Sequence, residues 1–432
     1  MTIGPVIQRA DAAVAAGSPS CLEGRHILFV SAAYLYKVAT LKAAKRSGLT
    51  VSLVGLELPE WARPYVDRFV EADTYDEDAT IEALRRPFEE APFEGAVTFW
   101  DRDVGLVARI ADAFGLAGCP VEAAARARNK QAAREAFAAA GLPQPRFAPF
   151  ASWDELVEAA RGIGFPLVCK PLGASGSKGI FRVEHEADLR GAYERIERFV
   201  RPEADMMFSY HRGRYLAEEF MPGPEVSVEG FAFGGDVHVV GVTEKRTTDD
   251  HFVETGHAFP ARFDVETARS VRRLAAGAVR ALGLDACPFH VEIKLTDEGP
   301  KLVEVNGRVG GDLISTHLVP HASGIGMVEG AFAVALGCAP DLRPRFERAA
   351  SIRYLLAERA GALRAWHVDR SSFDPDGVVE LAFEKEPGDR VVLPPEQFVD
   401  YRIAYVVTEA DDTASAIERA ERALEHVTAE IG

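Results

Sequence analysis

Two glutamates and an asparagine lie within residues 289–306, FHVEIKLTDEGPKLVEVN, a stretch whose pattern predicts a β-hairpin. Apolar and polar residues alternate on both arms, as they do in a strand pair with one buried and one polar face. On the first arm, Glu292 lies on the polar face. On the second arm, the alternation places Leu302, Glu304 and Asn306 on the same polar face. Two carboxylates and an amide oxygen, with room for water and phosphate oxygens, are a typical protein share of a Mg²⁺ site. The hairpin therefore predicts a Mg²⁺ site.

The register of this hairpin decides whether the two carboxylates meet. Residues 297–299, DEG, fit a three-residue loop whose glycine takes the left-handed conformation. Such a loop pairs Thr296 with Pro300 and sets Glu292 opposite Glu304. Like charges directly across a strand pair repel each other, and a cation between them removes this objection. A register slip by one residue would separate the two carboxylates. The alternative to a metal site is a solvated polar face on which the like charges are tolerated.

The segment KPLGASGSKG, residues 170–179, places a lysine at the end of an apolar strand, then a glycine- and serine-rich loop and a second lysine. Backbone N–H groups in such a loop form an anion-binding nest, and the two ammonium groups add positive charge. The segment is not a Walker A loop, because G-x-x-x-x-G-K-[ST] does not occur at this spacing. Phosphate binding and a flexible surface turn both fit the pattern.

A second strand–bend–strand segment is YLAEEFMPGPEVSVEG, residues 215–230, with its bend at Pro222–Pro224. Glu219 and Glu225 flank the bend. Taken alone, these two glutamates are best interpreted as ordinary exposed residues.

Glu254 and His257 lie three residues apart in VTEKRTTDDHFVETGHAFPA, residues 242–261, which we interpret as a long polar loop. The spacing is that of E-x-x-H di-iron ligands on helices. Gly256 and Pro260 argue against a helix, and no second copy of the motif occurs, so we reject a di-iron site. A loop that contacts substrate and a solvated surface pair both fit these residues.

The N-terminal part of the chain alternates between apolar strands and helical patterns, which predicts a parallel sheet of βαβ units. SAAYLYK follows the first strand, so the G-x-G-x-x-G fingerprint of dinucleotide-binding proteins is missing there. The predicted strands and helices are HILFV (26–30), KVATLKAAKRSGL (37–49), VSLVGLE (51–57), EGAVTFW (94–100) and VGLVARIADAFGL (104–116).

The middle of the chain predicts one long alanine-rich helix, VEAAARARNKQAAREAFAAAGLPQP, that ends at Gly141. Strands dominate from Tyr215 onward, and after about Arg345 short strands closed by a helix predict a small α+β module. The predicted fold class is therefore a multi-domain combination of α/β and α+β structure. The predicted domains are residues 1–120, 121–214, 215–345 and 346–432.

Composition limits the possible partners and compartments. The formal charge of the 432 residues is −17, which argues against nucleic acid or an anionic membrane as a partner. No apolar run approaches the roughly 20 residues of a transmembrane helix, and the first 20 residues predict a loose extension rather than a secretory signal. The five scattered cysteines do not suggest disulfides or structural zinc, so a reducing cytoplasm is expected.

Taken in order, these segments resemble the ATP-grasp superfamily over residues 121–336, roughly half of the chain. The order is NK before a helix that ends GLP, a strand that ends in Lys, then GASGSKG, EEFMPGPE, FHVEIKL and EVNGRVGGD. Within the superfamily the chain is similar to the L-amino acid ligases, which are dipeptide synthetases of the carboxylate–amine ligase type, chiefly through FVETGHAFPA and EVNGRVGGD. The resemblance implies an ATP-grasp fold with an N-terminal Rossmann-like pre-ATP-grasp domain, two ATP-grasp subdomains within residues 121–345 and a C-terminal accessory module.

The resemblance also implies which residues hold ATP and metal. Glu292, Glu304 and Asn306 would hold two Mg²⁺ ions, with Mn²⁺ as a substitute, in agreement with the hairpin argument. The residues implied to bind ATP are Lys130 and Lys170 at the phosphates, the closing loop Ser175, Gly176, Ser177, Lys178 and Gly179, the adenine-contacting hinge Glu218, Glu219, Phe220 and Met221, and Glu225 at the ribose.

The same resemblance implies residues for catalysis and for the second part of the reaction. Arg308 would lie beside the transferred phosphoryl group and the acyl phosphate, and the backbone of Gly310 and Gly311 would lie close to the reacting carbonyl. Glu254 and His257 would contact an amino acid substrate.

The leading hypothesis from the sequence is an ATP-dependent ligase that activates an amino acid or similar carboxylate as an acyl phosphate and joins it to an amine. The negatively charged carboxylate must attack the polyanionic ATP, and Mg²⁺ and an arginine would reduce the repulsion between them. A closing loop would protect the acyl phosphate from water. The alternatives are an ATP-grasp carboxylase, a ligase that charges a carrier protein, and a non-catalytic nucleotide-binding regulator. Dimers are common among the ATP-grasp enzymes, but the sequence specifies neither the oligomeric state nor the two substrates.

Overall fold

The computed structural model describes residues 5–8, 21–32, 37–249, 251–369, 373–394, 397 and 399–432. Its N-terminal region contains a four-stranded parallel sheet in the order β4-β3-β2-β5. The predicted βαβ arrangement is therefore confirmed. The elements are β1 (Pro5–Gln8), β2 (His26–Val30), α1 (Val38–Arg46), β3 (Thr50–Gly55), β4 (Arg68–Glu71), α2 (Glu77–Glu90), β5 (Gly95–Val97) and α3 (Val104–Phe114), with 3₁₀ turns at Arg63–Tyr65 and Asp101–Asp103.

A second sheet of four strands, in the order β6-β9-β7-β8, forms a small antiparallel lobe. Its helices α6 and α7 cover the sheet through their apolar faces, which bury Leu156, Leu189 and Ile196. The elements are α4 (Val121–Arg128), α5 (Lys130–Ala139), β6 (Phe147–Phe150), α6 (Trp153–Ile163), β7 (Leu167–Pro171), β8 (Phe181–Val183), α7 (Leu189–Phe199), a 3₁₀ turn at Met206–Ser209 and β9 (Tyr215–Glu219).

The single alanine-rich helix expected from the sequence is wrong, because α4 and α5 are separate helices. Asn129 lies between them in an extended conformation, and its side chain accepts hydrogen bonds from the N–H groups of Gln131 and Ala132. Asparagine is a favourable N-cap residue because its side-chain oxygen satisfies N–H groups that have no partner inside the helix. The cap places Lys130 at the first position of α5.

The largest part of the structure is a nine-stranded sheet in the order β1-β17-β19-β15-β12-β11-β10-β13-β14. Helix α8 packs against its β10–β14 side through the buried residues Val271, Ala275 and Val279. The elements are β10 (Glu225–Phe233), β11 (Asp236–Thr247), β12 (Glu254–Phe259), α8 (Val265–Leu282), β13 (Cys287–Thr296), β14 (Gly299–Asn306), a π-helical turn at Ile314–Leu318, α9 (Val319–Ser323), α10 (Met327–Ala335), β15 (Ala349–Leu356), β16 (Gly361–Val368), β17 (Val378–Phe383), β18 (Arg390–Val391), β19 (Arg402–Ala410), α11 (Thr413–Glu425) and β20 (Val427–Ile431).

Residues 242–261 do not form the long loop expected from the sequence. They form the second half of β11 and all of β12, which pair with each other, and β12 also pairs with β15. A central strand whose polar residues line a cavity lacks the apolar alternation by which strands are usually recognised. The polar character of this segment therefore reflects its position and not a lack of regular structure.

The C-terminal strands β15, β17 and β19 continue the large sheet instead of forming a separate one, while β18, β16 and β20 form a small fourth sheet. Pro5–Gln8, expected to be part of a loose extension, pairs with β17 at the edge of the large sheet. The rest of that extension lies outside the described residues. The four domain boundaries stay a prediction.

The N-terminal sheet packs directly on the large-sheet domain. A Cβ atom at Gly95 would lie 2.5 Å from the carbonyl oxygen of Ala335 in α10, so β5 approaches this helix closely. Across the described residues, no individual helix has both the length and the apolar character needed to cross a bilayer. Two short helical segments, Ile314–Ser323 and Met327–Ala335, meet these criteria only together, are bent by 113° and are mostly buried in the protein.

Candidate active site

A cavity of about 530 Å³ lies where the small lobe, the large sheet and the N-terminal domain meet. It brings together nearly all the residues that the sequence analysis selected. Gly179 does not line it: the left-handed backbone of this glycine packs against Val200 and Pro171, where a Cβ atom would lie 2.8 Å from the Val200 side chain. The predicted residues that line the cavity are Lys130, Lys170, Ser175, Gly176, Ser177, Lys178, Glu218, Glu219, Phe220, Met221, Glu225, Glu254, His257, Glu292, Glu304, Asn306, Arg308 and Gly311.

The hairpin of β13 and β14 has the predicted pairing of Glu292 with Glu304. The predicted three-residue loop is wrong, because Thr296 pairs with Gly299 and only two residues form the turn. A bulge on β14, with Val303 as its extra residue, shifts the register back by one before Glu304. The two deviations cancel at the carboxylates.

The same bulge changes which side chains face the core. Leu302, expected on the polar face, is fully buried, and Val303 lines the cavity instead. The carboxylates therefore face the cavity, as expected, although the alternation that predicted this is broken one residue earlier.

The three predicted metal ligands have different surroundings. Glu292 Oε1 accepts hydrogen bonds from Lys245 Nζ at 2.7 Å and from His290 Nε2 at 3.2 Å, and Glu304 Oε1 accepts one from Lys130 Nζ at 3.2 Å. Burial opposes ionisation of Glu292, but the positive charges of Lys245 and His290 outweigh it and hold the pKa of this carboxyl well below its ordinary value. Glu292 can therefore serve as an anionic ligand.

Asn306 provides the test of whether a metal fits this site. Its side-chain oxygen is buried and has no hydrogen-bond partner, and an orphaned buried acceptor of this kind is rare and costly. Within the described residues, no group of three or more His, Cys, Asp or Glu side chains is arranged to hold a metal ion. Two carboxylates with one amide oxygen fit a Mg²⁺ ion that takes its remaining ligands from phosphate and water.

Lys245 organises the acidic residues of the cavity, and the sequence analysis did not select it. Its ammonium group lies 2.7 Å from a carboxylate oxygen of Glu225, 2.7 Å from one of Glu292 and 3.6 Å from one of Glu254. Burial alone would lower the pKa of Lys245, but these three carboxylates raise it well above the ordinary value. No motif in the sequence pointed to this lysine.

His290 supports Glu292 from the opposite side. Its Nδ1 lies 2.9 Å from a carboxylate oxygen of Glu229, which is fully buried and also accepts a hydrogen bond from Ser227. Burial would lower the pKa of His290, but the two flanking glutamates raise it to about 9. The charged ring can then donate a hydrogen bond to each of them.

The small lobe contributes a buried pair of cations around Glu218. The carboxylate accepts hydrogen bonds from Arg134 at 2.7 and 3.2 Å and lies 2.6 Å from Lys170 Nζ. Burial opposes ionisation, but the two cations lower the pKa of Glu218 to about 2. Arg134 also donates to the carbonyl oxygens of Leu302 and Val303, so this network connects the lobe to the hairpin.

The glycine- and serine-rich loop is held by contacts from both sides of the cavity. Ser177 Oγ donates a hydrogen bond of 2.9 Å to the carbonyl oxygen of Phe252, in the turn between β11 and β12. Lys178 pairs with Asp205 at 2.5 Å, and Lys130 Nζ donates to the carbonyl oxygen of Ala174 at 2.6 Å. The loop therefore lies across the cavity between the two sheets.

Arg308 is fixed by an aspartate from the N-terminal domain. Its Nε and Nη2 atoms donate to the two oxygens of Asp101 at 2.7 and 2.5 Å, and its Nη1 donates to the carbonyl oxygen of Val309. Burial opposes ionisation of Asp101, but Arg308 lowers its pKa to about 2. Burial, followed by the charge of Arg308, lowers the pKa of Lys37 in the same region to about 8. No sequence pattern pointed to Asp101, which lies 207 positions from its partner.

The far end of the cavity, which we define by Asp312, Tyr354, Glu384, Arg402 and Tyr405, was also missed. Arg402 donates to both oxygens of Asp312 at 2.9 and 3.1 Å, and its guanidinium carbon lies 3.5 Å from the ring centroid of Tyr354. Asp312 adopts a left-handed backbone conformation with φ of 47°, which is unfavourable for a residue with a side chain. The paired arginine helps to hold it there.

His257 joins the far end to the predicted substrate residues. Its Nε2 lies 3.3 Å from Asp312 Oδ2, and its side chain is only 1% exposed. Glu254, on the same strand, is buried beside Lys245, and burial raises its pKa. The two residues selected from the sequence therefore lie between the hairpin and the far end.

Family models match three parts of the chain. The ATP-grasp N-terminal domain matches residues 41–118, the ATP-grasp domain matches residues 163–317, and L-amino acid ligase C-terminal domain 2 matches residues 353–432.

The sequence similarity to three curated relatives extends over about half of this chain in one case and over most of it in the other two. The uncharacterized protein y4rH of Sinorhizobium fredii is 30% identical over 362 residues, which are 82% of this chain and 72% of that protein. Carnosine synthase 1 of Gallus gallus is 27% identical over 79% of this chain and 39% of its own length. Alanine–anticapsin ligase of Bacillus subtilis strain 168 is 25% identical over 54% of this chain and 52% of its own length. The chain thus spans only about two-fifths to half of these two ligases.

Among solved structures, an L-amino acid ligase from Bacillus licheniformis superposes with a TM-score of 0.80 over 95% of this chain and 99% of its own, at 22% sequence identity. A phosphoribosylglycinamide synthetase from Anaerococcus prevotii superposes with a TM-score of 0.72 over 94% of this chain, at 20% identity.

Proposed function

Because the chain belongs to the ATP-grasp superfamily, in the branch that carries the C-terminal domain of the L-amino acid ligases, we propose that it is an ATP-dependent carboxylate–amine ligase. It activates the carboxylate of an amino acid or similar acid as an acyl phosphate, forms an amide with an amine, and releases ADP and phosphate. The family and the fold class expected from the sequence are both confirmed.

One observation carries the proposal. A single cavity joins the cationic groups and the acidic hairpin at one end to a separate polar region beyond Gly311 at the other. A protein that only binds a nucleotide needs the first end, whereas a ligase also needs room for a carboxylate and an amine beside the terminal phosphate. Arg308 lies between the two ends.

The nucleotide end would take ATP. Lys130 and Lys170 lie where cations can contact the phosphates, and the residues of the glycine- and serine-rich loop can cover them. Glu218 is fully engaged with Arg134 and Lys170, so its contribution to adenine recognition comes from its main chain and not from its carboxylate. Glu225 lines the same end and is available to the ribose hydroxyls.

Glu292, Glu304 and Asn306 would hold Mg²⁺, in two ions as the family resemblance implies, with Mn²⁺ as a substitute. Bound there, the metal would neutralise charge on the phosphate oxygens. Lys245 and His290 already hold Glu292 in its ionised form, and the unpaired oxygen of Asn306 gains a partner.

The chemistry proceeds by two displacements. A carboxylate oxygen attacks the γ-phosphorus of ATP, the bond to the ADP oxygen breaks, and an acyl phosphate forms. The neutral amine nitrogen then attacks the acyl carbon, the bond to phosphate breaks, and a proton leaves the nitrogen. Arg308 stabilises negative charge on the transferred group, Asp101 fixes the arginine, and the loop at Ser175–Lys178 limits access of water to the acyl phosphate.

The test is a phosphate-release screen with ATP, Mg²⁺ and amino acids supplied singly and in all pairs, followed by mass spectrometry of the products. Release that depends on a pair, together with a new amide mass, supports the ligase. Release that requires bicarbonate and no second amino acid would instead identify a carboxylase, and ATP binding without turnover under every condition would identify a regulator.

We expect the reaction to take place in the cytoplasm, where ATP is available and where the five cysteines would remain reduced. A homodimer is the assembly to test first, by light scattering of the purified chain.

A further inference from the structure

The far end of the cavity is lined by residues of the C-terminal strands. Tyr354 lies on β15, Arg402 and Tyr405 lie on β19, and Glu384 follows β17 directly. The backbone N–H of Glu384 donates to the carbonyl oxygen of Ile403, which fixes the residue beside β19. Its position is therefore set by regular structure and not by a free loop.

The cations near Glu384 already have anionic partners. Arg402 is shared between the two oxygens of Asp312 and the ring of Tyr354, and Lys385 pairs with Asp400 at 2.5 Å. Among the described residues, none forms a hydrogen bond or an ion pair with the Glu384 carboxylate. Burial raises the pKa of Glu384 to about 7; the positive charge of Arg402 opposes this rise, and the negative charge of Asp312 adds to it. The carboxylate has no direct partner among the described residues, and the nearby positive charges offset its burial only in part.

The missing partner must be a cation with hydrogen-bond donors. An anionic ligand group would meet Glu384 and Asp312, and a neutral apolar group would leave a half-buried carboxylate without solvent or a partner. The tyrosine rings of Tyr354 and Tyr405 offer π-faces, which also favour a cation. An ammonium group satisfies all three residues.

The order of strands indicates which ammonium group this is. Asp312 directly follows Gly311 and contacts His257 of β12, so it is the acidic residue beside the reacting centre. Asp312 also pairs with Arg402 of β19, and β17, which Glu384 follows directly, is the next strand of the sheet. Glu384 lies one strand interval, about 4.8 Å, beyond the strand that holds Asp312. A group that meets Glu384 therefore lies at the end of a long side chain and not on the α-carbon.

We propose that one of the two substrates is a basic amino acid of the lysine or ornithine type, whose side-chain ammonium pairs with Glu384 at the far end of the cavity. This inference rests on the proposed ligase function and adds a specificity-determining residue to it. Asp312 and His257 then remain available to contact the substrate groups next to the reacting carbonyl.

The test compares lysine and ornithine with norleucine, which has the same chain length as lysine but no side-chain charge. Each is paired with the same panel of second amino acids, and ADP release gives kcat/KM. We expect the wild-type protein to prefer lysine or ornithine over norleucine by at least about tenfold, which is the usual worth of a charge-assisted hydrogen bond.

Variants at the same position then assign the preference. Glu384→Gln is expected to reduce the ratio for lysine over norleucine by about tenfold or more, and Glu384→Lys to favour glutamate over lysine. Glu358→Gln, which changes an exposed glutamate of the same C-terminal region, is the matched control and should keep the wild-type ratio. Because the ratio is measured within each preparation, partial misfolding of a variant does not alter it.

A wild-type protein that uses norleucine as well as lysine would overturn this inference while leaving the ligase function standing. An unchanged ratio in Glu384→Gln would overturn it too. If no pair of amino acids released ADP, the proposed function would fail, and this inference would fail with it.

Discussion

The two ends of the cavity differ in how their charges are balanced. At the nucleotide end each of the principal cations contacts a carboxylate: Lys170 contacts Glu218, Lys130 contacts Glu304, Lys245 contacts Glu225 and Glu292, and Arg308 contacts Asp101. At the far end Arg402 is paired with Asp312, and Glu384 has no partner among the described residues.

This difference separates what the protein supplies from what the ligand must supply. Metal and triphosphate bring their own opposite charges, so a nucleotide end that is already balanced can accept both together. The far end has one carboxylate more than it has cations, and a substrate can provide the missing positive charge. The first end would suit any reaction driven by ATP, whereas the second selects one class of substrate.

Glu304→Ala should have the largest effect, because it removes an anionic metal ligand at the nucleotide end. We expect turnover to fall by at least about 10³-fold, measured by ADP release, with an unchanged circular dichroism spectrum since the side chain faces the cavity and not the core. Glu298→Ala, in the exposed turn of the same hairpin, is the control and should keep normal turnover. Near-normal activity of Glu304→Ala would contradict the metal assignment.

Asp101→Asn comes next, because the loss of its charge loosens the arginine that lies between the two ends. We expect kcat to fall by about 10²-fold while KM for ATP changes by less than about threefold, as befits a group that matters most in the transition state. Asp112→Asn, at an exposed site of the same domain, is the control. An effect limited to KM would show that Asp101 does not act through Arg308.

Arg402→Gln tests the far end separately from the nucleotide end. It removes the arginine that holds Asp312 beside the reacting centre, so KM for the amino acid substrate should rise by about tenfold to thirtyfold, with KM for ATP nearly unchanged. Equal increases in both constants would mean that the two ends are not independent.

The smallest expected effect is on stability as a function of pH. The pKa of Glu384 is raised by burial from 4.5 to about 7, so the folded state binds the proton more tightly and stability falls as pH rises between these values. Relative to Glu384→Gln, the wild-type protein should lose about 2 kcal/mol of unfolding free energy between pH 4.5 and 8, allowing for partial screening by solvent. Denaturant melts at several pH values measure this, and a constant difference would exclude the unpaired carboxylate.

The nucleotide end could be predicted from the sequence because its residues lie in short segments with recognisable periodicity. Even there, the pairing of Glu292 with Glu304 was predicted correctly only because an error of one residue in the turn cancels against the bulge at Val303. Turn chemistry constrains a register locally, but a bulge leaves no signal in a single sequence.

The far end could not be predicted in the same way. Asp312 and Arg402 are 90 positions apart, and Arg308 and Asp101 are 207 apart. These contacts depend on which strands become neighbours in the nine-stranded sheet, and the C-terminal strands were expected to form a module of their own. Lys245 gains its role only from carboxylates on neighbouring strands, which a single sequence does not bring together.

The continuity of the large sheet has one mechanical consequence. Backbone hydrogen bonds run without interruption from the metal-binding hairpin at β14 to β17 beside Glu384, so the distance between them is built into a rigid plate. The four-stranded lobe with the glycine- and serine-rich loop belongs to a different sheet, so no backbone ladder ties that distance to the position of the lobe. On the proposed role of Glu384, the length against which a basic side chain is measured is therefore set by the large sheet alone.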